Sequence, residues 1–398
     1  MAFFKNAAWI GGQRVRVYCS LLVLFFLVVV CALLFTLHQG VDWRGRPLGT
    51  DFISFWSASD MVWQGRAADV YVLKHHAAEQ LTLFPHIKQY GYTAFLYPPT
   101  FLLLCLPLAL VPYFWSLFIW LSLTGYACWR GVKKFLPDKT PWVVIAGFPA
   151  GFGTILHGQN AFLSCALFAQ GVYFFNKNPV LSGIFLGLLC FKPHLVLCVP
   201  VVMVVARQWR ALWAFMATVC LFALVSWGVF GAATWEGFIQ NIPFATDVLE
   251  KDYVGYAKMV SIFAAVRLLH GSVLLSWICQ ISVNILVLSV LIHIAMRRRA
   301  SLETGMMLIV SALIVTPFLL DYDLMILAPV LAWSVSQAQK QGFMSYERLI
   351  VSCAFLLPMF ARPVALLCHV SLSPLVLLAL AYSVARRGLR EPGAVFAR

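Results

Sequence analysis

Charged side chains are scarce in this sequence. Of its 398 residues only 11% are Asp, Glu, Lys or Arg, whereas 62% are hydrophobic and the mean hydropathy is +0.86. This composition excludes a soluble domain, which needs far more polar surface. Apolar runs of eighteen or more residues indicate membrane-spanning helices, with clear examples at 17–37, 211–230 and 273–296. Because the runs are uninterrupted, we expect an all-α bundle and not a barrel.

Cysteine pairs and the common nucleotide and hydrolase motifs are also lacking. The eleven cysteines form no CxxC pair and lie almost entirely within apolar runs, which argues against a disulfide framework and a zinc site. The sequence has no P-loop, no GxGxxG followed by an acid, no HExxH and no GxSxG. No soluble nucleotide site is therefore expected, and a donor carried in the membrane would explain that absence.

The net charge of +14 does not predict nucleic-acid binding, because the basic residues flank apolar spans. This arrangement is the positive-inside pattern of membrane proteins, and it also suits anionic lipids of the inner leaflet. The flanking residues are Lys5, Arg14, Arg16, Arg207, Arg210, Arg297, Arg298, Arg299, Arg386, Arg387 and Arg390.

A polar segment between the first two apolar spans has a different charge balance. Residues 38–93 hold five acids and five bases, against ten acids and twenty-four bases in the remainder. Lys and Arg near span ends are retained in the cytoplasm, so this neutral loop is expected outside. A second loop, 232–258, with four acids and two bases, is expected on the same side. The basic, then apolar, N-terminal segment is interpreted as an uncleaved first helix.

We predict a single membrane domain, 1–398, with twelve crossings and with 38–94 and 232–258 as its first and second periplasmic loops. The predicted spans are 17–37, 97–110, 113–130, 141–157, 160–175, 179–206, 210–231, 260–296 (a surface helix plus a span), 302–319, 324–338, 349–365 and 369–385. This count leaves Lys133, Lys134, Lys139 and Lys177 outside. Either the charge rule is locally overruled, or 97–110 and the half-segments around Lys192 are re-entrant.

The first loop contains an amphipathic helix. Phe52, Phe55, Trp56, Val62 and Trp63 share one face of 52–64, opposite Ser54, Ser57, Asp60 and Gln64. Trp and Phe opposite a polar face predict a helix lying on the membrane surface. Asp51 comes just before it, at the N-cap, where a carboxylate either caps the helix or is held ready for chemistry. Tyr97-Pro98-Pro99 predicts a helix start directly after the loop.

Charges within apolar segments are the next signal, because each is costly unless paired or solvated. Lys192, between Phe191 and the helix-breaking Pro193-His194, favours an anion such as phosphate or a side chain reaching the interface. Arg267 on 261–269 has the same two interpretations. Asp321-Tyr322-Asp323 is either a sugar- or cation-binding turn or simply a polar turn. Gly158-Gln159-Asn160 is a short polar turn or a hydrogen-bonding cluster.

These motifs together resemble glycosyltransferase family 87, the polyprenol-phosphate-mannose-dependent mannosyltransferase-like family of the GT-C superfamily. The resemblance covers about residues 45–340. In chain order the motifs that carry it are Asp51-Phe52 with Trp56, Gly65, Tyr71, Phe95-Leu96-Tyr97-Pro98-Pro99, Gly158-Gln159-Asn160, Phe191-Lys192-Pro193-His194, Lys258-Met259 with Ser261, and Thr316-Pro317 through Asp321-Tyr322-Asp323.

The resemblance implies a GT-C-type bundle that inverts a sugar at the periplasmic face of a bacterial inner membrane. It implies a polyprenyl-phosphate sugar donor, a lipid or glycan acceptor, no cofactor, and a divalent metal left open. Asp51 would be the catalytic base. Lys192, His194 and Arg267 would bind the donor phosphate. The sugar or acceptor would contact Asp321, Tyr322, Asp323, Trp56, Tyr97, Gln159 and Asn160.

Two other classes of function remain open from the residues alone. A transporter or flippase for a polyprenyl-linked or anionic substrate would explain the many spans and the broken helix at Pro193. A non-catalytic membrane scaffold would make Asp51 dispensable. The transporter interpretation, however, gives the large first outer loop no role, and the sequence shows no internal repeat.

Overall fold

The computed structural model describes residues 2–43, 45–85, 87, 92–137 and 139–390; Arg44 and Lys88 of the first loop lie outside these ranges. Within the described residues the regular structure is helical, with isolated β-bridges and no strand. The helices of the first third are α1 (Ala2–Asn6), α2 (Gly12–Phe35), α3 (Phe52–Trp63), α4 (Leu73–Leu83), α5 (Pro99–Cys105) and α6 (Tyr113–Val132).

The rest of the chain is also helical. The middle third contains α7 (Trp142–Ala146), α8 (Pro149–His157), α9 (Ala161–Phe174), α10 (Pro179–Gly187), α11 (Pro193–Val196), α12 (Cys198–Val205), α13 (Trp209–Phe230), α14 (Ala232–Gln240) and α15 (Ile242–Glu250). The last third contains α16 (Ile262–Leu268), α17 (Val273–Arg298), α18 (Leu302–Val315), α19 (Ala328–Gln341), α20 (Glu347–Cys368) and α21 (Ser373–Gly388). Single 3-10 turns are Ala68–Tyr71, Leu108–Leu110, Leu188–Phe191, Tyr256–Lys258 and Asp321–Leu327.

The protein is a membrane protein. Helices α2, α13, α17 and α20 are long and apolar enough to cross a bilayer, and most residues of α2 and α13 face outward from the bundle. Exposed Leu, Val and Phe side chains on these helices are what a lipid environment requires. The other apolar helices are shorter, so the predicted number of twelve crossings is not confirmed.

The predicted span at 97–110 turns back to the end from which it starts. Its first residues contact the first loop, since Tyr71 donates a hydrogen bond to the Tyr97 carbonyl at 2.9 Å. Its last residues contact the same loop, since Ser59 and Trp63 both donate to the Leu106 carbonyl, at 3.0 and 2.8 Å. Helix α5 is therefore re-entrant and does not separate the two ends of the bundle.

The segment 179–206 also reverses direction, and Lys192 lies at its tip. Helix α10 packs antiparallel to α9, because Ser182 donates to the Gly171 carbonyl at 2.7 Å. Helix α10 is parallel to α13, because Gly183 lies against Ala211 and Gly187 lies against Thr218. Both limbs of this hairpin therefore return to one end of the bundle.

The end of the bundle to which this hairpin returns also carries many Lys and Arg residues at helix ends and in the connections between helices. We call it the basic end (Lys5, Arg14, Arg16, Lys139, Arg298, Arg348 and Arg387). The Tyr346 amide donates to the Lys5 carbonyl at 2.7 Å, Arg298 donates to the Gly388 carbonyl at 2.7 Å, and Arg387 is paired with buried Glu347. Lys134 and Lys177 lie over the same ring, that of Tyr173. Once α5 is re-entrant, α6 brings Lys133, Lys134 and Lys139 to the basic end, which removes the conflict with the charge rule.

The first loop forms a folded cap at the opposite end. The predicted helix within it is present as α3, but its predicted position on the membrane surface is wrong. Ser54 and Ser57 are as buried as Phe52 and Phe55, so both faces of α3 pack inside the protein. The polar face is satisfied internally, since the Ser57 hydroxyl and His76 Nε2 are 2.8 Å apart.

Candidate active site

Two glycines fix the position of Asp51 against the bundle. Gly49 and Gly158 both have positive φ, +71° and +65°. A Cβ added to Gly158 would lie 2.6 Å from Phe52 Cβ and 3.4 Å from Gly49 Cα. Only glycine permits both this backbone conformation and this close approach. The Asp51 amide then donates to the His157 carbonyl at 2.9 Å, which joins the first loop to the end of α8.

The Asp51 carboxylate does not cap the helix that follows it. Asp51 stands at the N-cap of α3, but its side chain makes no capping hydrogen bond. Instead Gln159 Nε2 donates to Asp51 Oδ2 at 2.8 Å, and Thr50 Oγ1 donates to Oδ1 at 3.3 Å. His157 Nδ1 is 3.8 Å from Oδ1, and the Asp51 side chain remains 17% exposed. The capping interpretation is therefore wrong.

These contacts keep Asp51 ionised. Burial alone would raise the pKa of the carboxyl, but the hydrogen bond and charge of His157, followed by the bonds from Gln159 and Thr50, lower the pKa below its usual value. Thr50 Oγ1 is also 2.6 Å from His157 Nδ1. When the Thr50 hydroxyl donates its proton to Asp51, its oxygen must accept a hydrogen from His157 Nδ1. His157 then supports the carboxylate through Thr50.

Gln159 links Asp51 to the inner part of the site. Its Nε2 also donates to the Tyr322 hydroxyl at 3.0 Å, and its Oε1 accepts from the Tyr97 hydroxyl at 3.4 Å. The side chain of neighbouring Asn160 is fully buried, and neither of its polar atoms has a hydrogen-bond partner of standard geometry. Tyr97, Gln159, Asn160 and Tyr322 thus come together beside Asp51, as the sequence predicts.

Lys192 and Asp323 are paired with each other. Lys192 Nζ is 2.6 Å from Asp323 Oδ1, and the two side chains are 3% and 7% exposed. His194 lies close to this pair, and its carbonyl accepts a hydrogen bond from the Thr316 hydroxyl at 3.4 Å. The Asp323 carboxylate that compensates the charge of Lys192 is 131 positions later in the chain. The sequence around either residue does not reveal this pairing.

Two further cations, Lys258 and Arg362, act electrostatically on this region. Met259 pairs with Leu320 in a β-bridge, and the Val260 amide donates to the Leu319 carbonyl at 2.9 Å. This bridge brings Lys258 beside Asp321. Burial, reinforced by the charge of Arg362, lowers the pKa of Lys258, while the charges of Asp51 and Asp321 act in the opposite direction. Burial raises the pKa of Asp321, against the charges of His157 and Arg362.

The convergent residues are thus contributed by the first loop, α8, the second loop, the 321–327 turn and α20. A carboxylate held ready to accept a proton lies within electrostatic reach of several cations. A scan against protein-family models matches residues 95–320 to Glycosyltransferase family 87. The chain belongs to glycosyltransferase family 87. Searches of curated proteins and of solved structures give no match.

Membership in family 87 makes the protein a glycosyltransferase, and the resemblance found in the sequence is confirmed. The matched region begins after Asp51 and ends just before Asp321. The roles of Asp51, Asp321 and Arg362 therefore rest on the geometry described above.

Two residues predicted for the family 87 site have their polar groups bonded to other segments. Arg267 donates to the Tyr256 hydroxyl at 3.0 Å and to the Gly271 carbonyl at 2.6 Å, within its own turn of structure. Trp56 donates to the Val111 carbonyl at 3.2 Å and packs on Tyr113, so it joins α3 to the α5–α6 connection. Among the described residues no group of three or more His, Cys, Asp or Glu side chains is arranged to hold a metal ion.

No role for His157, Lys258 or Arg362 is predicted from the sequence. A signal was present for Arg362, which interrupts the apolar run of α20 between Pro358 and Pro363. A lone arginine in a spanning helix is costly and therefore marks a functional position. Lys258 belongs to the Lys258-Met259 motif of the resemblance, but no role followed from it, and His157 carries no comparable local signal because its importance depends on contacts between distant segments.

Proposed function

We propose that this glycosyltransferase moves a hexose, such as mannose, from a polyprenyl-phosphate donor to a lipid or glycan acceptor, with inversion at the anomeric carbon. The observation that carries the proposal is the Asp51 carboxylate, which is ionised, partly open and surrounded by donors instead of capping α3. Family membership supports glycosyl transfer in general. The membrane-embedded fold supports a lipid-borne donor, whose tail would lie among apolar helices.

In this mechanism Asp51 accepts the proton of the acceptor hydroxyl. The acceptor oxygen forms a bond to the anomeric carbon while the bond from that carbon to the phosphate oxygen breaks. The electron pair leaves with the lipid phosphate, and the proton goes to Asp51. A carboxylate of lowered pKa is a weak base, so proton transfer follows extensive cleavage of the glycosidic bond, when the hydroxyl has become acidic.

The leaving phosphate requires cations, and we assign this role to Lys258 and Arg362. Both act electrostatically on the carboxylate cluster of Asp51 and Asp321, and neither forms an ion pair within 4.0 Å of a described carboxylate. Fixed cations of this kind stabilise charge that develops on a leaving group. A phosphate role for Lys192, His194 and Arg267 stays a prediction, and the partners of Lys192 and Arg267 weigh against it.

The sugar would lie between the cations and the aromatic part of the site. Asp321 and the hydroxyls of Tyr97 and Tyr322 supply acceptors and donors for sugar hydroxyl groups. The ring of Tyr322 lies 5.8 Å from that of His157, centroid to centroid. Asp323 is held by Lys192, so we expect it to orient this turn more than to contact the sugar directly.

We infer the sidedness from the charge distribution. The basic end carries most of the Lys and Arg residues at helix ends, which supports a cytoplasmic location for it under the positive-inside rule. The Asp51 end, with the first and second loops, would then face the periplasm or the cell exterior. Accessibility labelling of cysteines introduced at Glu79 and at Lys340 in whole cells tests this directly, because only the former should react with an impermeant reagent.

The activity itself is tested with purified protein in detergent and a synthetic polyprenyl-phosphate hexose. Lys258→Gln and Arg362→Gln should each reduce kcat by about 10²-fold, the effect of losing one group that stabilises transition-state charge. Lys251→Gln is the matched control, because Lys251 lies in the same second loop but is exposed and paired with Asp247. Full activity in both site variants would remove these cations from the mechanism.

The transporter alternative has one structural feature in its favour, the hairpin that breaks at Lys192. Broken helices of transporters expose backbone groups to a substrate. Here the tip is occupied by the buried Lys192–Asp323 pair, and Phe191 stacks on Phe101 of α5 at 5.2 Å. A transporter would move a polyprenyl-linked sugar between vesicle leaflets without producing a glycosylated acceptor.

A further inference from the structure

A second candidate binding site lies at the basic end, far from Asp51. A cavity of about 750 Å³ opens between the first turns of α2, the α6–α7 connection, α19 and α20. Its volume lies within the range of small-molecule sites. The walls are mostly apolar, with Leu22, Val144 and Phe355 among them, and its rim is polar.

The rim carries four cations from three separate segments. Arg14 and Arg16 come from α2, Lys139 from the α6–α7 connection, and Arg348 from the first turn of α20. No carboxylate lines the cavity in the described part of the chain. None of the four forms an ion pair with a described acidic side chain. Such a concentration of positive charge over an apolar cavity is complementary to an anion that has an apolar body.

Arg348 gives independent support for an anion. Its Nη1 donates to the Ala7 carbonyl at 3.3 Å, and its guanidinium lies over the Phe343 ring at 4.4 Å. Its Nε is buried and has no hydrogen-bond partner among the described residues. A buried donor of this kind normally has an acceptor.

An apolar cavity adjoins the first one inside the bundle, and we call it the apolar channel. A second cavity of about 430 Å³ shares Thr140, Val144, Val335, Val351 and Phe355 with the first. It runs between α2, α6, α8 and α19 as far as Ile155, and its lining is almost wholly apolar. The two adjoining cavities together have a cationic rim and an apolar interior, a combination that matches the charged headgroup and an acyl chain of one lipid molecule.

We propose that this site binds one anionic phospholipid from the leaflet at the basic end. The headgroup phosphate contacts Arg14, Arg16, Lys139 and Arg348, and one acyl chain enters the apolar channel beside α2. Anionic lipids are attracted by clustered Lys and Arg at the membrane edge. A neutral lipid would leave the cations uncompensated, and a free anion would leave the channel unfilled. This binding is separate from the transfer site and does not depend on its substrates.

Native mass spectrometry of the purified chain in non-ionic detergent tests the proposal. The probes are phosphatidylglycerol, phosphatidylcholine with identical acyl chains, and inorganic phosphate. We expect one phosphatidylglycerol to bind at least tenfold more tightly than phosphatidylcholine, and inorganic phosphate to compete weakly. Raising NaCl from 0.05 to 0.5 M should weaken the binding of the first phosphatidylglycerol but not the binding of phosphatidylcholine. Equal affinity for the two lipids, or no effect of salt, would overturn the proposal.

The variant Arg14→Gln/Arg16→Gln/Lys139→Gln should lose the tenfold preference. Its matched control is Arg210→Gln/Arg297→Gln/Lys340→Gln, which removes three exposed cations that do not line the cavity. Since Arg14 also bonds the Trp9 carbonyl, Arg16→Gln alone serves as a milder second variant with a smaller loss. Unchanged preference in the cavity variants would show that the lipid binds elsewhere, and an equal loss in the control would show that binding follows net charge and not this site.

Discussion

Replacing Gln159 by leucine should shift the pH dependence of glycosyl transfer. Gln159 Nε2 donates to the ionised Asp51 carboxylate at 2.8 Å, and a hydrogen bond to a charged group contributes about 1.5–3 kcal/mol. Loss of that bond disfavours the ionised form. Since about 1.4 kcal/mol corresponds to one pH unit, the acidic limb of kcat/KM should move up by about 1–2 pH units. In the wild type the lowered pKa of Asp51 keeps this limb below the ordinary carboxyl range.

The assay is transfer from a polyprenyl-phosphate hexose by the purified protein, followed as kcat/KM between pH 4.5 and 8.5. Tyr97→Phe is the control, because Tyr97 donates to Gln159 Oε1 at 3.4 Å and, in the described part of the chain, forms no hydrogen bond with Asp51. It should leave the limb within a few tenths of a pH unit. The reasoning is refuted if Gln159→Leu lowers the rate by one constant factor at every pH.

Three further predictions concern stability and positioning. Lys192→Met should lower the free energy of unfolding by about 3–5 kcal/mol, measured by chemical denaturation, because it leaves the buried Asp323 charge unpaired. Lys192→Met/Asp323→Leu should recover most of this loss. A double variant as unstable as the single one would contradict the pairing. Gly158→Ala should lower both Tm and activity, since its Cβ would meet an α3 atom at 2.6 Å, whereas Gly65→Ala, with φ +74° and open space around it, should cost only backbone strain. Burial lowers the pKa of His76 to about 4, so a proton binds more readily to His76 in the unfolded loop than in the folded one. The folded loop should therefore lose at most about 3 kcal/mol of stability as the pH falls from 6.5 towards 4. Hydrogen exchange of α4 at pH 7.5 and pH 5 measures that loss, and equal protection would disprove it.

Local patterns predicted the helices well, because span length and apolar periodicity are properties of short segments. Pro98-Pro99 marks the start of α5, and the predicted division of 260–296 into two helices is present as α16 and α17, whereas the surface position of the first stays a prediction. The position of α3 was not predictable in this way. Its polar face looks like a solvent face until His76, nineteen residues away, is brought against Ser57.

The site was predicted only where local sequence carried a signal. Asp51 and the Gln159-Asn160 turn were identified from the motifs and their resemblance, and the structure brings them together. The pairing of Lys192 with Asp323 could not be foreseen, because each charge appeared unpaired within its own segment. Lys258 and Arg362 face the site from two other parts of the chain, so only the tertiary fold reveals them as a group.

The most direct test of the central claim is single-turnover transfer by Asp51→Asn from a labelled polyprenyl-phosphate hexose. Asn keeps the size of Asp51 and its contact with Gln159 but cannot accept the acceptor's proton. We predict that transfer falls by about 10²–10⁴-fold, the usual contribution of a general base, while donor binding and Tm stay close to wild type. Asp60→Asn, in the same loop, should retain full activity. Near-wild-type turnover by Asp51→Asn would contradict the assignment of Asp51 as the catalytic base.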